Sequence, residues 1–344
     1  MKALFVHSAK DLRLSDIPRT APGPGEVRLR LSRGGICGSD LHYWRHGGFG
    51  TVRLREPMIL GHEVAGHVVE TGPGVTGLEE GQLVAVSPSR PCGDCPYCLQ
   101  GLPNHCLNMR FYGSAMPFPH IQGAFREELV ARAAQCVPAD GLTPAEAAMA
   151  EPLAVCLHAT RRAGEMLGKR VLVTGCGPIG VLAIQAARRA GAAEIVATDI
   201  TAAPLGFAKA MGADIVLNTA EDPEALAPYS AAKGWFDVQF ECSGAAPALA
   251  AGIACLRPRG VVVQLGLSGD MSVPMMQVTA KELELRGAFR FHEEFATAVT
   301  LMSKGLIEVK PLLTQTFALN EFETAFETAA DRARSMKVQL DFTA

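Results

Sequence analysis

No run of this 344-residue chain approaches the roughly 18 consecutive apolar residues that a bilayer-spanning helix needs, so a membrane-spanning reading is excluded. A basic excess is lacking too. Lys and Arg total 32 against 35 Asp and Glu, a net charge of −3, which leaves no cationic stripe for a phosphate backbone and argues against a nucleic-acid partner. The start, MKALFVHSAKDLRL, has no basic segment followed by an apolar run and a small-residue cleavage site. The expected setting is therefore cytoplasmic, where thiols stay reduced. Internal repeats and low-complexity linkers are absent as well, which excludes solenoids and leaves a globular chain of two ordinary domains.

What the chain does have is cysteine in a pattern. Cys92, Cys95, Cys98 and Cys106 fall in SRPCGDCPYCLQGLPNHC with spacing C-x2-C-x2-C-x7-C. A short loop of that spacing can wrap four thiolates around one cation, and a closed tetrahedral sulfur site is what structural zinc prefers. Two disulfides are the alternative. Three cysteines two apart beside Gly93 and Pro96 are hard to pair geometrically, and a reducing compartment disfavours them.

Residues 1–150 read as β-rich, with VRLRLSRGGIC, EVAGHVVE and QLVAVSP as short strands broken by PGPG and TGPG, which suggests an irregular barrel. Residues 151–287 change character. The runs VLVTG, EIVATD, DIVLN, FDVQFE, VVVQLG and LELRGA alternate with Ala-rich helical segments, the signature of a parallel sheet covered by helices. Residues 288–344 carry a helix in EEFATAVTLMSKG, an extended TQTFAL and a second helix in NEFETAFETAADRARS. That tail is too short for a third domain, so it is expected to join the first one, making the parallel-sheet domain an insertion.

At the first strand of the sheet stands VLVTGCGPIGVLAIQAARRAG, a G-x-G-x-x-G at Gly175, Gly177 and Gly180 with Pro178 and Ile179 opening a helix. Asp199 ends the next strand, nineteen residues past Gly180. Strand, glycine turn, helix and distal acid form a dinucleotide-binding fingerprint, in which the pyrophosphate meets a helix N-terminus and the acid accepts from the adenosine ribose. A carboxylate there repels a 2′-phosphate, and ITAAPLG after Asp199 offers no Lys or Arg to offset it, so NAD is favoured over NADP.

The closed thiolate site cannot hold a substrate, and a catalytic zinc needs an open position. Candidates for a second site are Cys37 in GGICGSDLHYW, His62 and Glu63 in LGHEVAGHV, and Glu151 in MAEPLAV. Taken together with the cysteine lobe, AEPLAVCLHA and VTGCGPIG, these motifs resemble the zinc-dependent medium-chain dehydrogenases over nearly the whole chain, and the sorbitol dehydrogenase branch in particular. The resemblance implies an α/β protein: a GroES-like catalytic domain (1–150 and 288–344, with a zinc lobe at about 90–110) and an inserted Rossmann domain (151–287). It implies Cys37 and His62 as zinc ligands, with Glu63 and Glu151 binding directly or through water. Which carboxylate binds directly stays open. It also implies Asp40 as the residue that orients the zinc histidine, Ser39 and His42 as a proton relay, and Leu265 and Arg290 beside the cofactor. A dimer or tetramer is implied too. His7, His67 and His158 are read as structural.

The segments NMRFYGSAMPFPHIQGAF at 108–125 and RGAFRFHEEFATAV at 286–299 bring the chain closer to a sugar-acid-oxidising branch, the bacterial L-idonate dehydrogenases. That resemblance implies oxidation of the C5 hydroxyl of L-idonate to 5-keto-D-gluconate. An aldonate carboxylate needs a cation, and Arg110 and Arg290 are the candidates, since a guanidinium grips a carboxylate with two hydrogen bonds. Arg290 sits in an FR pair that sorbitol-type enzymes share, so Arg110 is the more discriminating of the two, its other reading being a salt bridge that anchors its loop. Tyr43 and Trp44 are candidate lining residues, with core packing as the other reading. One departure stands out: sorbitol-type relatives place an arginine shortly after the ribose-binding acid, where this chain has Pro204. The competing functions are a sorbitol or xylitol dehydrogenase, a silent nucleotide-binding protein of crystallin type, and a nucleic-acid-binding zinc module on residues 92–106.

Overall fold

The computed structural model describes residues 1–267 and 269–344. The chain forms two compact units. The first comprises Met1–Glu151, Phe295–Asp331 and Lys337–Ala344; the second comprises Pro152–Glu294 and Arg332–Met336. Among the described residues, no helix is long and apolar enough to cross a membrane.

The first unit is built on a seven-stranded sheet whose hub is Glu26–Gly35. It pairs antiparallel with Glu63–Thr71, Glu128–Arg132 and Lys337–Asp341. Period-two alternation explains the hub: Val27, Leu29 and Leu31 are fully buried, while Arg28 and Arg30 turn to the other face. These join Val64, Phe125, Phe326 and Leu340 in one core. Lys337–Asp341 also pairs in parallel with Leu313–Ala318, so two C-terminal segments complete this sheet.

The second unit is a six-stranded parallel sheet in the order Ile215–Asn218, Glu194–Asp199, Arg170–Thr174, Phe236–Glu241, Leu256–Gln264, Glu284–Gly287. In chain order that is 3-2-1-4-5-6, the doubly wound arrangement, whose ligands bind beyond the carboxyl ends of the strands where the order reverses. Continuous apolar runs suit strands covered on both faces: Val171–Val173 and Ile195–Ala197 are wholly buried.

Candidate metal and dinucleotide sites

Cys37 caps the helix Gly38–His46, and Asp40 sits at the third position of that helix. The capping geometry makes Asp40 a brace: its carboxylate accepts the Cys37 N–H at 3.0 Å and the Gly61 N–H at 3.2 Å, tying the helix start to the segment that carries His62. Cys37, His62 and Glu63 then come together with ligand atoms within 4.8 Å of one another. His62 Nδ1 is buried without a hydrogen-bond partner and lies 3.9 Å from Asp40 Oδ1. With Nδ1 turned to Asp40, Nε2 is the nitrogen available to a cation.

The electrostatics fit a cation site. Burial, then the charge of Glu63, pushes the Cys37 thiol up to about 12, against the opposing pull of Lys337. Burial likewise pushes Glu151 up to about 8; His62 opposes the shift, and Glu63 and Cys37 add to it. Several acids crowd one buried spot and resist ionising together, which is what a divalent cation reverses. Glu151 feels these charges but lies outside the group of three.

Sequence reasoning missed one residue here. Lys337, 3% exposed, places its ammonium 2.8 and 2.7 Å from the two oxygens of Glu63, itself 1% exposed. It also donates to the Ile36 carbonyl at 3.3 Å. The only hint in the sequence was alternation in KVQLD, which sets Val338 and Leu340 apart from Lys337 and Gln339.

Ser39 stands at the second position of the helix Gly38–His46, two residues after Cys37. His42, one helical turn further on, has an exposed residue surface; its imidazole pKa is lowered by partial burial first, then by His46 and Arg45. Tyr43 lies in the core, 2% exposed, its hydroxyl accepting the Ala115 N–H at 3.0 Å and its ring packed on Phe49. The Trp44 ring meets Phe326 edge-on, again a packing role.

Arg110 and Phe111 form a two-residue ribbon with Ser89 and Arg90. Phe111 is buried and its ring lies 5.6 Å from that of His62. Alternation then turns Arg110, which is exposed, to the opposite face of the ribbon, alongside Arg90. Among the described residues Arg110 makes no ion pair, so the structure shows no salt bridge anchoring its loop.

The four-cysteine lobe is assembled as its spacing suggested, with the four sulfurs mutually within 4.8 Å. The Cys92–Cys106 and Cys92–Cys98 separations of 3.3 and 4.0 Å bracket the edge of about 3.8 Å expected for a tetrahedron of ~2.3 Å zinc–sulfur bonds. All ten cysteines are free thiols. Cys106 Sγ accepts the N–H groups of Cys92 and Asn108, and those of Cys98 and Leu107 hold the Cys95 thiol down to about 6.

In the second unit, Gly177 caps the twelve-residue helix Pro178–Arg189, and the space its missing side chain would occupy is open. Gly180 is the reverse: a Cβ there would lie 1.8 Å from the Gly175 carbonyl oxygen. The turn is thus closed on the protein side and open at the helix N-terminus, a cradle that fits a pyrophosphate. Pro178 and Ile179 occupy the first turn; Ile179 accepts the Cys156 S–H through its carbonyl. Asp199 is buried at its strand end, accepting the N–H of Cys176 at 2.7 Å and of Thr201 at 3.0 Å, with Ile200 69% exposed beside it. Pro204 is buried in the helix Ala202–Ala210. Leu265 follows the Leu256–Gln264 strand, half-buried. Arg290 takes a left-handed conformation, φ 57°, with its guanidinium 4.9 Å from the Phe289 ring centroid.

Comparison with known proteins agrees with this layout. Residues 23–141 match the alcohol dehydrogenase GroES-like domain, and residues 178–304 match the zinc-binding dehydrogenase family. L-idonate 5-dehydrogenase (NAD(P)(+)) of Escherichia coli K-12 is 45% identical over 320 residues, 91% of each chain. The chain belongs to the zinc-binding alcohol dehydrogenase family. The crystal structure of L-idonate 5-dehydrogenase from the same organism superposes with a TM-score of 0.95 at 42% identity, covering 99% of this chain and 97% of that one. Sorbitol dehydrogenase of Gallus gallus is 37% identical over 343 residues, 98% of this chain and 95% of its own. The fold is that of the family, a GroES-like unit and a Rossmann-like parallel sheet, and the chain is an oxidoreductase of the NAD(P)-dependent kind.

Proposed function

We propose that this dehydrogenase oxidises the C5 hydroxyl of L-idonate to 5-keto-D-gluconate with NAD as hydride acceptor, and runs the reverse reduction as well. The observation that carries the reading is the near-full-length likeness in sequence and fold to the L-idonate enzyme of Escherichia coli. Cys37, His62 and Glu63 would hold the catalytic zinc, and Glu151, whose ionisation their charges influence, would act on it through a water. Bound there, zinc supplies Lewis acidity that eases removal of the substrate hydroxyl proton, and the nicotinamide supplies the hydride acceptor.

The protein's own residues do the rest. Asp40 fixes the helix start, and with it the Cys37 sulfur, against the His62 segment. Lys337 partly neutralises Glu63, which otherwise adds a full negative charge to a buried site. Ser39 and His42, three residues apart on one helix face, form the route by which the hydroxyl proton leaves; the lowered His42 pKa keeps that imidazole ready to accept it near neutral pH. The Cys92, Cys95, Cys98 and Cys106 lobe would carry a structural zinc with no open position.

Asp199 supports NAD over NADP, since a buried carboxylate flanked by Ile200 and Thr201 offers a 2′-phosphate repulsion and no cation. For the aldonate carboxylate, the outward face of Arg110 weights the choice towards Arg290. The test is an initial-rate panel of NAD and NADP with L-idonate, D-gluconate, sorbitol and xylitol, with and without zinc chelation, on wild type, Arg110→Met and Arg290→Met. L-idonate with NAD should be the fastest pair and chelation should abolish it. Faster turnover of sorbitol or xylitol would replace this reading with a polyol dehydrogenase. The carboxylate assignment to Arg290 sinks if Arg290→Met loses efficiency equally on aldonate and polyol.

A further inference from the structure

Glu241 is fully buried at the carboxyl end of its strand, and no Lys, Arg or His pairs with it among the described residues. Its carboxylate is instead surrounded by donors. One oxygen accepts from the Ser243 N–H at 2.9 Å and from the Ser243 hydroxyl; the other accepts the Gly244 N–H at 3.0 Å and the Gln264 side-chain amide at 2.6 Å. Its main-chain carbonyl accepts the N–H groups of Leu265 and Gly266. One residue therefore ties the loop after its own strand to the loop after the next.

Those loops are packed without slack. A Cβ on Gly266 would lie 2.1 Å from the Gly244 nitrogen, and a Cβ on Gly175 would lie 2.7 Å from the Ser243 nitrogen. The loop holding Gly175 is thus in contact with the loop that Glu241 folds, and Cys242 N–H bonds the Thr174 carbonyl at 2.8 Å. Arg170–Thr174 and Phe236–Glu241 are the neighbouring strands between which the sheet order reverses. Ligands of a doubly wound sheet lie beyond that point, one mononucleotide to each half. The glycine turn and Asp199 belong to the first half, and Glu241 organises the second.

We infer that Glu241 is a positioning residue for the nicotinamide mononucleotide half of the cofactor, acting through the 242–245 and 264–267 loops it holds together. This rests on the dinucleotide reading above. Each carboxylate oxygen accepts a backbone N–H, from Ser243 on one and Gly244 on the other, so whichever way its amide turns Glu241→Gln sets an N–H₂ against an N–H and forces the loops apart. The adenosine half, held by Asp199 and the glycine turn, keeps its own contacts.

The test measures NADH affinity by fluorescence titration and 5′-AMP affinity by calorimetry on the full-length zinc-loaded enzyme. Glu241→Gln should weaken NADH by about tenfold or more, the scale of one lost charged acceptor, while 5′-AMP stays within about twofold. Should that variant fold poorly, Gln264→Leu removes one donor and leaves the carboxylate in place; it should show the same selective pattern at smaller amplitude. Equal weakening of NADH and 5′-AMP in either variant, or unchanged NADH affinity in both, would overturn the inference. A folded wild type that binds neither NADH nor NADPH would instead overturn the dinucleotide reading.

Discussion

Replacing Lys337 with Met strips the buried Glu63 of its counter-ion, and the cost can be worked from the structure. At 2.7–2.8 Å, with an effective dielectric of ~20, the gross attraction is about 6 kcal/mol. Both groups were desolvated to make the pair, so its net contribution is smaller; removing one partner alone typically costs about 3–5 kcal/mol, because an uncompensated charge is left behind. A bound cation would offset part of that loss. The expected result is therefore two numbers: a destabilisation of about 3–5 kcal/mol for Lys337→Met in chelator-treated protein, and a clearly smaller one with zinc present. Guanidinium unfolding of wild type, Lys337→Met, Glu63→Gln and the double variant, each with and without chelator, supplies both. The double variant should recover much of the loss, as neutral residues of similar volume replace the pair. A Lys337→Met cost below about 1 kcal/mol in the chelated protein, or one that zinc leaves unchanged, would refute the reasoning.

Other expectations concern separate parts of the molecule. In the second unit, burial opposes ionisation of Glu294, but hydrogen bonds from His158 and from backbone N–H groups including His292 outweigh it and bring its pKa to about 2, from 4.5. A depressed folded pKa gives stability above the unfolded value that is lost as pH falls, so Glu294→Gln should cost at most about 3 kcal/mol at pH 7, the gap to wild type closing by about 1.4 kcal/mol per pH unit below 4.5. A gap independent of pH from 6 down to 3 would contradict this. Gly177→Ala and Gly180→Ala should separate binding from folding: the first has open space and should keep its melting temperature while losing dinucleotide affinity, whereas the second meets the Gly175 carbonyl and should melt earlier. Cys95→Ser should lower thermal stability and release one zinc before it slows the hydride step, checked by melting and metal content alongside turnover.

Features whose chemistry lies in local spacing were legible in the sequence. The C-x2-C-x2-C-x7-C lobe and the glycine turn each sit within about twenty residues, so the pattern nearly contains the geometry. The inner strands of the parallel sheet were legible for a related reason: Arg170–Thr174, Glu194–Asp199 and Phe236–Glu241 are largely apolar runs covered on both faces. The Glu63–Lys337 pair was not, because it joins residues 274 apart, and the final strand that carries Lys337 holds too few apolar residues to announce itself. Arg110 and Tyr43 show a different limit. Their residue types suit a substrate site, but which way each points depends on the ribbon register with Ser89–Arg90 and on the packing of one helix against Phe49, and neither is written locally.

The central claim, an open zinc site at Cys37, His62 and Glu63 distinct from the closed cysteine lobe, is tested most directly by metal content and turnover measured on the same samples of wild type and Cys37→Ser. The expected result is two zinc ions per chain and NAD reduction by L-idonate in wild type, against one zinc and no turnover in a variant that remains folded. A Cys37→Ser protein that keeps both metals and oxidises L-idonate at the wild-type rate would contradict the account.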